Sequence, residues 1–304
     1  MRVRTAFTMI ELIFVIVVMG IIGKFGVEFI AEAYKGFINA KINHELQATS
    51  EQTVEIIAAR LEHRIKDSVV ARTGETTVFT ALSDTSGDSF HVLEWVSTDI
   101  DGFRGTTTPL WSGILDLNHT RASSTVLVSP QTDTSEINTL IDTLSYGNSD
   151  INKSALYFIG SNNDINGYGW NGTAILDQFA VMHPINSAVN SDEFAPKDGN
   201  FTGIDVYEYY KLAWTANAIV MKDYNTSKYA GLNMGDLVFY YDYQPWNGEK
   251  FYDTGKDIKK VVLMENVSSF RFIGIGSIMK IQVCTKSTLI EGDEYSLCKE
   301  KTVF

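Results

Sequence analysis

Residues 5–23 form an almost unbroken apolar run in which the one charged side chain is a carboxylate, Glu11. Apolar residues then recur at Phe25, Phe29, Ile30, Tyr34, Phe37, Ile38, Ile42 and Leu46, and resume at Val54, Ile57, Leu61, Ile65 and Val69. Steps of three and four residues line these side chains along one face of a helix. No proline occurs before Pro109. The pattern predicts a helical spine over residues 7–73, about 100 Å long at about 1.5 Å per residue. Such a helix is not stable alone in water. Its second half must lie on a globular domain, and its first half in lipid or among neighbouring copies. Two places invite a break. Gly23 and Gly26 bracket Lys24 and Phe25, and glycine costs about 1 kcal/mol in a helix interior. Thr49 and Gln52 have capping-box spacing, so a second helix is expected near Ser50.

From about residue 74 the pattern changes. Runs rich in β-branched and aromatic residues alternate with Gly, Asn, Asp and Ser clusters. Strands are expected at 77–80, 90–97, 125–129, 155–159, 173–182, 203–222, 236–243, 261–264, 268–274 and 277–284, with a short helix at 135–144. Asn247-Gly248, between aromatic stretches, predicts a tight hairpin. The tract 145–172 is the expected long loop. The fold class is α+β: a long N-terminal helix packed on an antiparallel sheet domain spanning 74–304.

A lone carboxylate in a membrane-length segment costs about 2 kcal/mol or more unless it is paired, so Glu11 is a candidate functional residue. Upstream lie Arg2 and Arg4 with no acidic residue. A secretory signal would end its apolar core in a small-residue cleavage site. Here Lys24, Phe25, Gly26, Val27 and Glu28 follow, and the small residue, Ala6, precedes the run. Ala6, Phe7, Thr8, Met9, Ile10, Glu11, Leu12, Ile13 and the later Gly20 resemble the prepilin leader of type IV pilins and type II secretion pseudopilins. Most of that family has Gly before the cut, where this chain has Ala6, and many of its major pilins carry an early proline that this chain lacks. Toward the C-terminus, 210–220, 237–243 and the stretch Val267-Ser-Ser-Phe-Arg-Phe272 look like the larger minor pilins and the J-type minor pseudopilins.

The resemblance implies a leader over 1–6, cut by a prepilin peptidase between Ala6 and Phe7, with methylation of the new Phe7 amine. It implies a transmembrane segment over about 7–26 and pairing of Glu11 with the terminal amine of a neighbouring subunit. Partners would be other pilin or pseudopilin subunits and an inner-membrane assembly platform. The basic leader keeps the N-terminus cytoplasmic. The chain would then be a single-pass inner-membrane protein with a periplasmic globular domain, passing into a filament. An exported chain with two cysteines, Cys284 and Cys298, favours a disulfide over two buried thiols. Many pilins close a C-terminal loop in this way.

The net charge of -12 argues against a nucleic-acid partner. The sequence has no G-x-S-x-G elbow, P-loop or C-x-x-C. His44 and Glu45 begin an H-E-x-x-H motif, but Ala48 replaces its second histidine. No cofactor is expected, but Asp99, Asp101 and Gly102 form a short candidate calcium loop, and in a longer one Asn162, Asp164 and Asn166 offer oxygens at alternate positions before Gly167. No Glu closes that loop at its twelfth position, and an Asx-rich turn is the plainer reading. Six N-x-[ST] sequons occur, at Asn118, Asn152, Asn171, Asn200, Asn225 and Asn266. Asn118, Asn152, Asn200 and Asn225 also carry Asp two residues upstream, resembling the extended acceptor sequence of bacterial N-linked oligosaccharyltransferases. Composition alone gives roughly half such a match. Asp and Asn also co-occur in turns for backbone reasons. The functional expectation is a structural minor subunit of a pilus or pseudopilus. The rivals are a tip adhesin using aromatic loops around Trp170 and Trp246, and a membrane-tethered enzyme.

Overall fold

The computed structural model describes residues 8–85, 89–287 and 295–304. One continuous helix, α1 (Met9–Glu62), opens the described chain. At 54 residues it is about 80 Å long. Neither expected break occurs. Gly23 and Gly26 lower helix stability without removing a backbone donor. At the second place Ser50 Oγ donates to Gln47 O within the helix. Ser50, Thr53, Val54, Ile57, Ala58 and Leu61 are buried there, so tertiary packing carries the helix through.

The helix stops short of the expected residue 73. Arg64 Nη1 donates to Leu61 O at 2.7 Å and covers an end carbonyl. Ile65 N–H then donates to Val96 O at 2.9 Å, drawing the chain into a sheet. Ile65 and Val69 continue the apolar spacing but are buried from extended backbone on either side of a single 3-10 turn, Lys66–Ser68. The β-branched pair Val69-Val70 leads into strand β1 (Val70–Arg72).

The remaining elements are β2 (Thr80–Ala81), β3 (Val92–Ser97), α2 (Ile100–Arg104), β4 (Leu127–Val128), α3 (Thr134–Ser145), β5 (Ala155–Phe158), β6 (Met182–Ser187), β7 (Glu193–Pro196), β8 (Tyr210–Ala213), β9 (Thr215–Lys222), β10 (Gly235–Tyr243), β11 (Lys259–Ile275), β12 (Ile278–Ser287) and β13 (Tyr295–Val303). They form two antiparallel sheets where the sequence predicts one. The larger runs β13-β12-β11-β10-β9-β3-β1-β2, and the smaller runs β4-β7-β6-β5-β8. The smaller sheet is inserted between β3 and β9.

Period-two alternation in the large sheet feeds two cores. Leu93, Trp95, Ile219, Leu237 and Phe239 face Val54, Ile57 and Leu61 of α1. Val92, Val96, Ala218, Val220, Val238 and Tyr240 face the other way, onto Trp170, Trp246, Tyr168 and Phe251. A third core joins α3 to the small sheet through Ile137, Ile141, Phe158, Phe194 and Tyr210.

Trp246 explains a further departure from the sequence reading. Its ring is fully buried and its Nε1 donates to Lys153 O at 2.7 Å. Gly248, at φ 76°, turns the chain into this core instead of joining two strands. β10 therefore ends at Tyr243 and β11 begins only at Lys259. The expected strand over 173–182 begins only at its last residue, Met182. Part of the expected loop 145–172 is core: Tyr168 and Trp170 are 0% and 1% exposed.

Candidate functional site

The N-terminal half of α1 is long and apolar enough to cross a membrane, and no described residue packs over it. Every residue from Thr8 to Phe37 is exposed, including Phe14, Phe25, Phe29 and Tyr34. Glu11 lies in the first turn of this helix. Its Oε2 accepts the Thr8 backbone N–H at 3.2 Å and the Thr8 Oγ–H at 3.1 Å. The carboxylate thus satisfies a donor that the helix itself leaves free. A negative charge there also meets the positive end of the helix dipole. Gly20 lies about two and a half turns further on, and a Cβ there would meet nothing within 4 Å. No contact among the described residues requires glycine at that position. Ala6 and Phe7 lie outside the described residues.

Cys284 and Cys298 form a disulfide. They face each other directly in the β12–β13 register, with Cα atoms 4.0 Å apart. Adjacent on β13, Lys299 reaches Glu51 of α1 at 3.3 Å, and Lys301 pairs with Glu55. The staple therefore lies in the hairpin that seats the helix.

The longer candidate calcium loop is folded as successive Asx turns, and in the shorter one the Asp99 carboxylate is taken up by Gly102 and Trp111. Asn162 Oδ1 accepts the Asp164 N–H at 3.1 Å, and Asp164 Oδ1 accepts the Asn166 N–H at 3.0 Å. These oxygens serve their own backbone. Among the described residues no group of three or more His, Cys, Asp or Glu side chains is placed to hold a metal ion. Asn118, Asn171, Asn200, Asn225 and Asn266 are exposed, whereas Asn152 is half-buried. Asp116 and Asp150 each accept the backbone N–H of the sequon asparagine two residues on, at 3.1 and 2.9 Å.

The aromatic loops expected around Trp170 and Trp246 do not form a surface. Trp170 Nε1 donates to Ser68 O at 3.1 Å, and both rings pack under the large sheet. Aromatic residues in turn-rich segments gave no sign of this, because loop composition does not report which core a loop enters.

Two features escaped the sequence reading. One is a cleft of about 460 Å³ where α1 leaves part of the large sheet uncovered, lined by Arg60, His63, Asp99, Tyr146, Phe239 and Tyr241 among others. Asp99 on its wall is buried; its carboxylate accepts the Gly102 N–H and Trp111 Nε1–H. Burial pushes its carboxyl up to about 6, helped by the charge of Asp101. The other is a buried network in which Arg72 Nε donates to Glu94 Oε2 and Tyr243 Oη donates to Glu94 Oε1 at 2.9 Å. Arg72 also donates to Trp170 O at 2.8 Å, tying the large sheet to the inserted segment. Both depend on partners far apart in the chain, which no local motif marks.

No protein-family model, curated protein or solved structure matches this chain.

Proposed function

We propose that this chain is a structural minor subunit of a type IV pilus or type II secretion pseudopilus, assembled through α1. The observation that carries the reading is the division of that helix. Ser50 to Leu61 are seated on a sheet, while the apolar stretch before them is bare. About 20 residues suffice to cross the hydrocarbon core, which fits residues 7–26. Phe29, Ile30, Tyr34 and Phe37 lie beyond it and are still about two-thirds or more exposed. An apolar stripe of that length in water calls for cover by another molecule. Neighbouring copies of the same kind of helix supply it in a filament.

In this reading the peptidase removes residues 1–6, and the new Phe7 amine is methylated. Glu11 then exchanges its intrachain contact with Thr8 for the terminal amine of a neighbour. In lipid such a pair is favoured because an uncompensated charge is costly. The positively charged leader sets the N-terminus in the cytoplasm, and the sheets lie on the periplasmic side. The oxidised cysteine pair accords with that compartment. The size of the inserted sheet favours a low-copy subunit over the bulk pilin.

The test is fractionation of native cells. The chain is expected in the inner membrane, with its sheet domain digested by protease added to spheroplasts, and in small amount in sheared filaments or the pseudopilus tip complex. A chain recovered wholly from the cytosol contradicts the proposal.

A further inference from the structure

The four sequons with an upstream Asp are not equivalent once folded. At Asn152 the side-chain oxygen accepts the Ser187 N–H at 3.0 Å, and Ser154, the sequon hydroxyl residue, is fully buried. Asn200 is exposed, but Phe201, between it and Thr202, is 5% exposed in the core of the small sheet. Around Asn118 and Asn225 the surroundings differ. Asp116 to Thr120 and Asp223 to Ser227 lie outside helices and strands, none of their residues is buried, and both asparagines are exposed. Asn225 Oδ1 accepts the Gly231 N–H at 2.9 Å, a bond within its own surface loop. Neither segment contributes to the core under α1. The two sequons that lack the carboxylate are also anchored: Trp170 precedes Asn171, and Val267 follows Asn266, both buried.

A transferase must draw a short stretch around the acceptor into its own site. A stretch holding a core residue enters only after local unfolding, whereas a surface turn enters at little cost. The carboxylate two residues upstream offers a charge-assisted contact to a cation on the enzyme.

We propose that Asn118 and Asn225 are N-glycan acceptors modified on the folded domain, and that Asn152 and Asn200 are passed over. The co-substrate is an oligosaccharide carried on a polyprenyl diphosphate. The Asn amide nitrogen attacks C1 of the first sugar, and the N–C1 bond forms as the C1–O bond to diphosphate breaks. The polyprenyl diphosphate leaves with the bonding pair, and the amide proton passes to a base on the transferase. The inference rests on the proposed export of the domain to the compartment where such donors are displayed.

The experiment is glycopeptide mass spectrometry on full-length chain from the native cell envelope, with the Cys284–Cys298 linkage mapped in the same digest without reduction. Sugar is expected on the Asn118 and Asn225 peptides and on none of the other four. Asp116→Ala should abolish occupancy at Asn118 alone, and Asp223→Ala at Asn225 alone. Bare Asn118 and Asn225 beside an oxidised cysteine pair overturn the glycan proposal and leave export standing. Bare asparagines with free thiols overturn both. Sugar on Asn152 or Asn200 overturns selection by the fold, and unchanged occupancy in the Asp variants overturns the role of the carboxylate.

Discussion

Lys299 in the last strand reaches Glu51 in the first helix across 3.3 Å, so the last element of the described chain meets the C-terminal part of the first. The ion pair is exposed and contributes little by itself. The seat beneath it is apolar: Val54, Ile57 and Leu61 on Met264, Phe270, Ile281 and Val303. Loosening β13 therefore loosens α1.

The disulfide controls that loosening. Cys284 and Cys298 are 14 residues apart in sequence, and closing a loop of that size contributes about 3 kcal/mol in the loop-entropy account. Cys284→Ser, or reduction of the native pair, should lower the urea midpoint of the sheet domain accordingly. Amide exchange should speed up first in β13 and in the Ser50–Leu61 stretch. A midpoint unchanged by reduction would show that the staple is irrelevant to the helix seat.

Arg72 and Glu94 are about as buried as any charged pair among the described residues, at 2% and 1% exposure. Removing one partner leaves a charge in the interior, at a cost of about 3–5 kcal/mol. Arg72→Met should be destabilised by that order. Adding Glu94→Gln should recover much of the loss, because the stranded charge is gone. Chemical denaturation of the two variants checks this; equal stabilities would mean that the charge is not what matters.

Asp99 gives the domain a signed pH dependence. Its carboxyl titrates near 6 when folded, against 3.8 ordinarily, because burial penalises the charge. The folded state holds the proton more tightly. The stability contributed by this protonation is complete below about pH 3.8 and is lost as pH rises through about 6. Asp99→Asn should flatten the stability profile across that window. It should also lose one of the two accepting contacts, since an amide cannot accept at both ends. A variant whose profile keeps the native slope would assign the titration to another group.

The α+β class, the membrane-length helix, the cysteine pair and α3 were all legible in local sequence, because each rests on periodicity or on residue type. The expected helix 135–144 differs from Thr134–Ser145 by one residue at each end. The C-terminal limit of α1 was not legible. Ile65 and Val69 keep helical spacing, and only the hydrogen bond to Val96 and the burial of Arg64 divert the chain. The second sheet was hidden for a similar reason. β4 is two residues long and pairs only with β7, which the fold brings to it from far along the chain. Glu11 was conspicuous because its charge violates its surroundings. Asp99 was legible as a candidate calcium ligand beside Asp101, but not as a buried carboxyl, because the Trp111 that helps cover it lies twelve residues on.

Processing of the leader is open to direct measurement. Coexpression with a prepilin peptidase should shorten the chain by the six residues before Phe7 and leave an N-methylated Phe7. Ala6→Leu should block the cut, since it replaces the small residue before the proposed cleavage point with a bulky one. Intact mass on the membrane fraction decides it, and an unprocessed Met1 in assembled filaments would contradict the proposal.

The central claim is that Glu11 serves assembly, and Glu11→Gln tests it most directly. The substitution removes the charge but keeps the length of the side chain. Insertion should survive, because the segment becomes less polar, and cleavage should survive, because the cut lies four residues away. Incorporation should fail, because the amine of the neighbouring subunit loses its anionic partner. The measurement is the amount of processed chain in sheared filaments or tip complex relative to the membrane fraction. The account predicts normal membrane levels of the processed variant and near-complete absence from the assembly; entry of Glu11→Gln into filaments at the native level would contradict it.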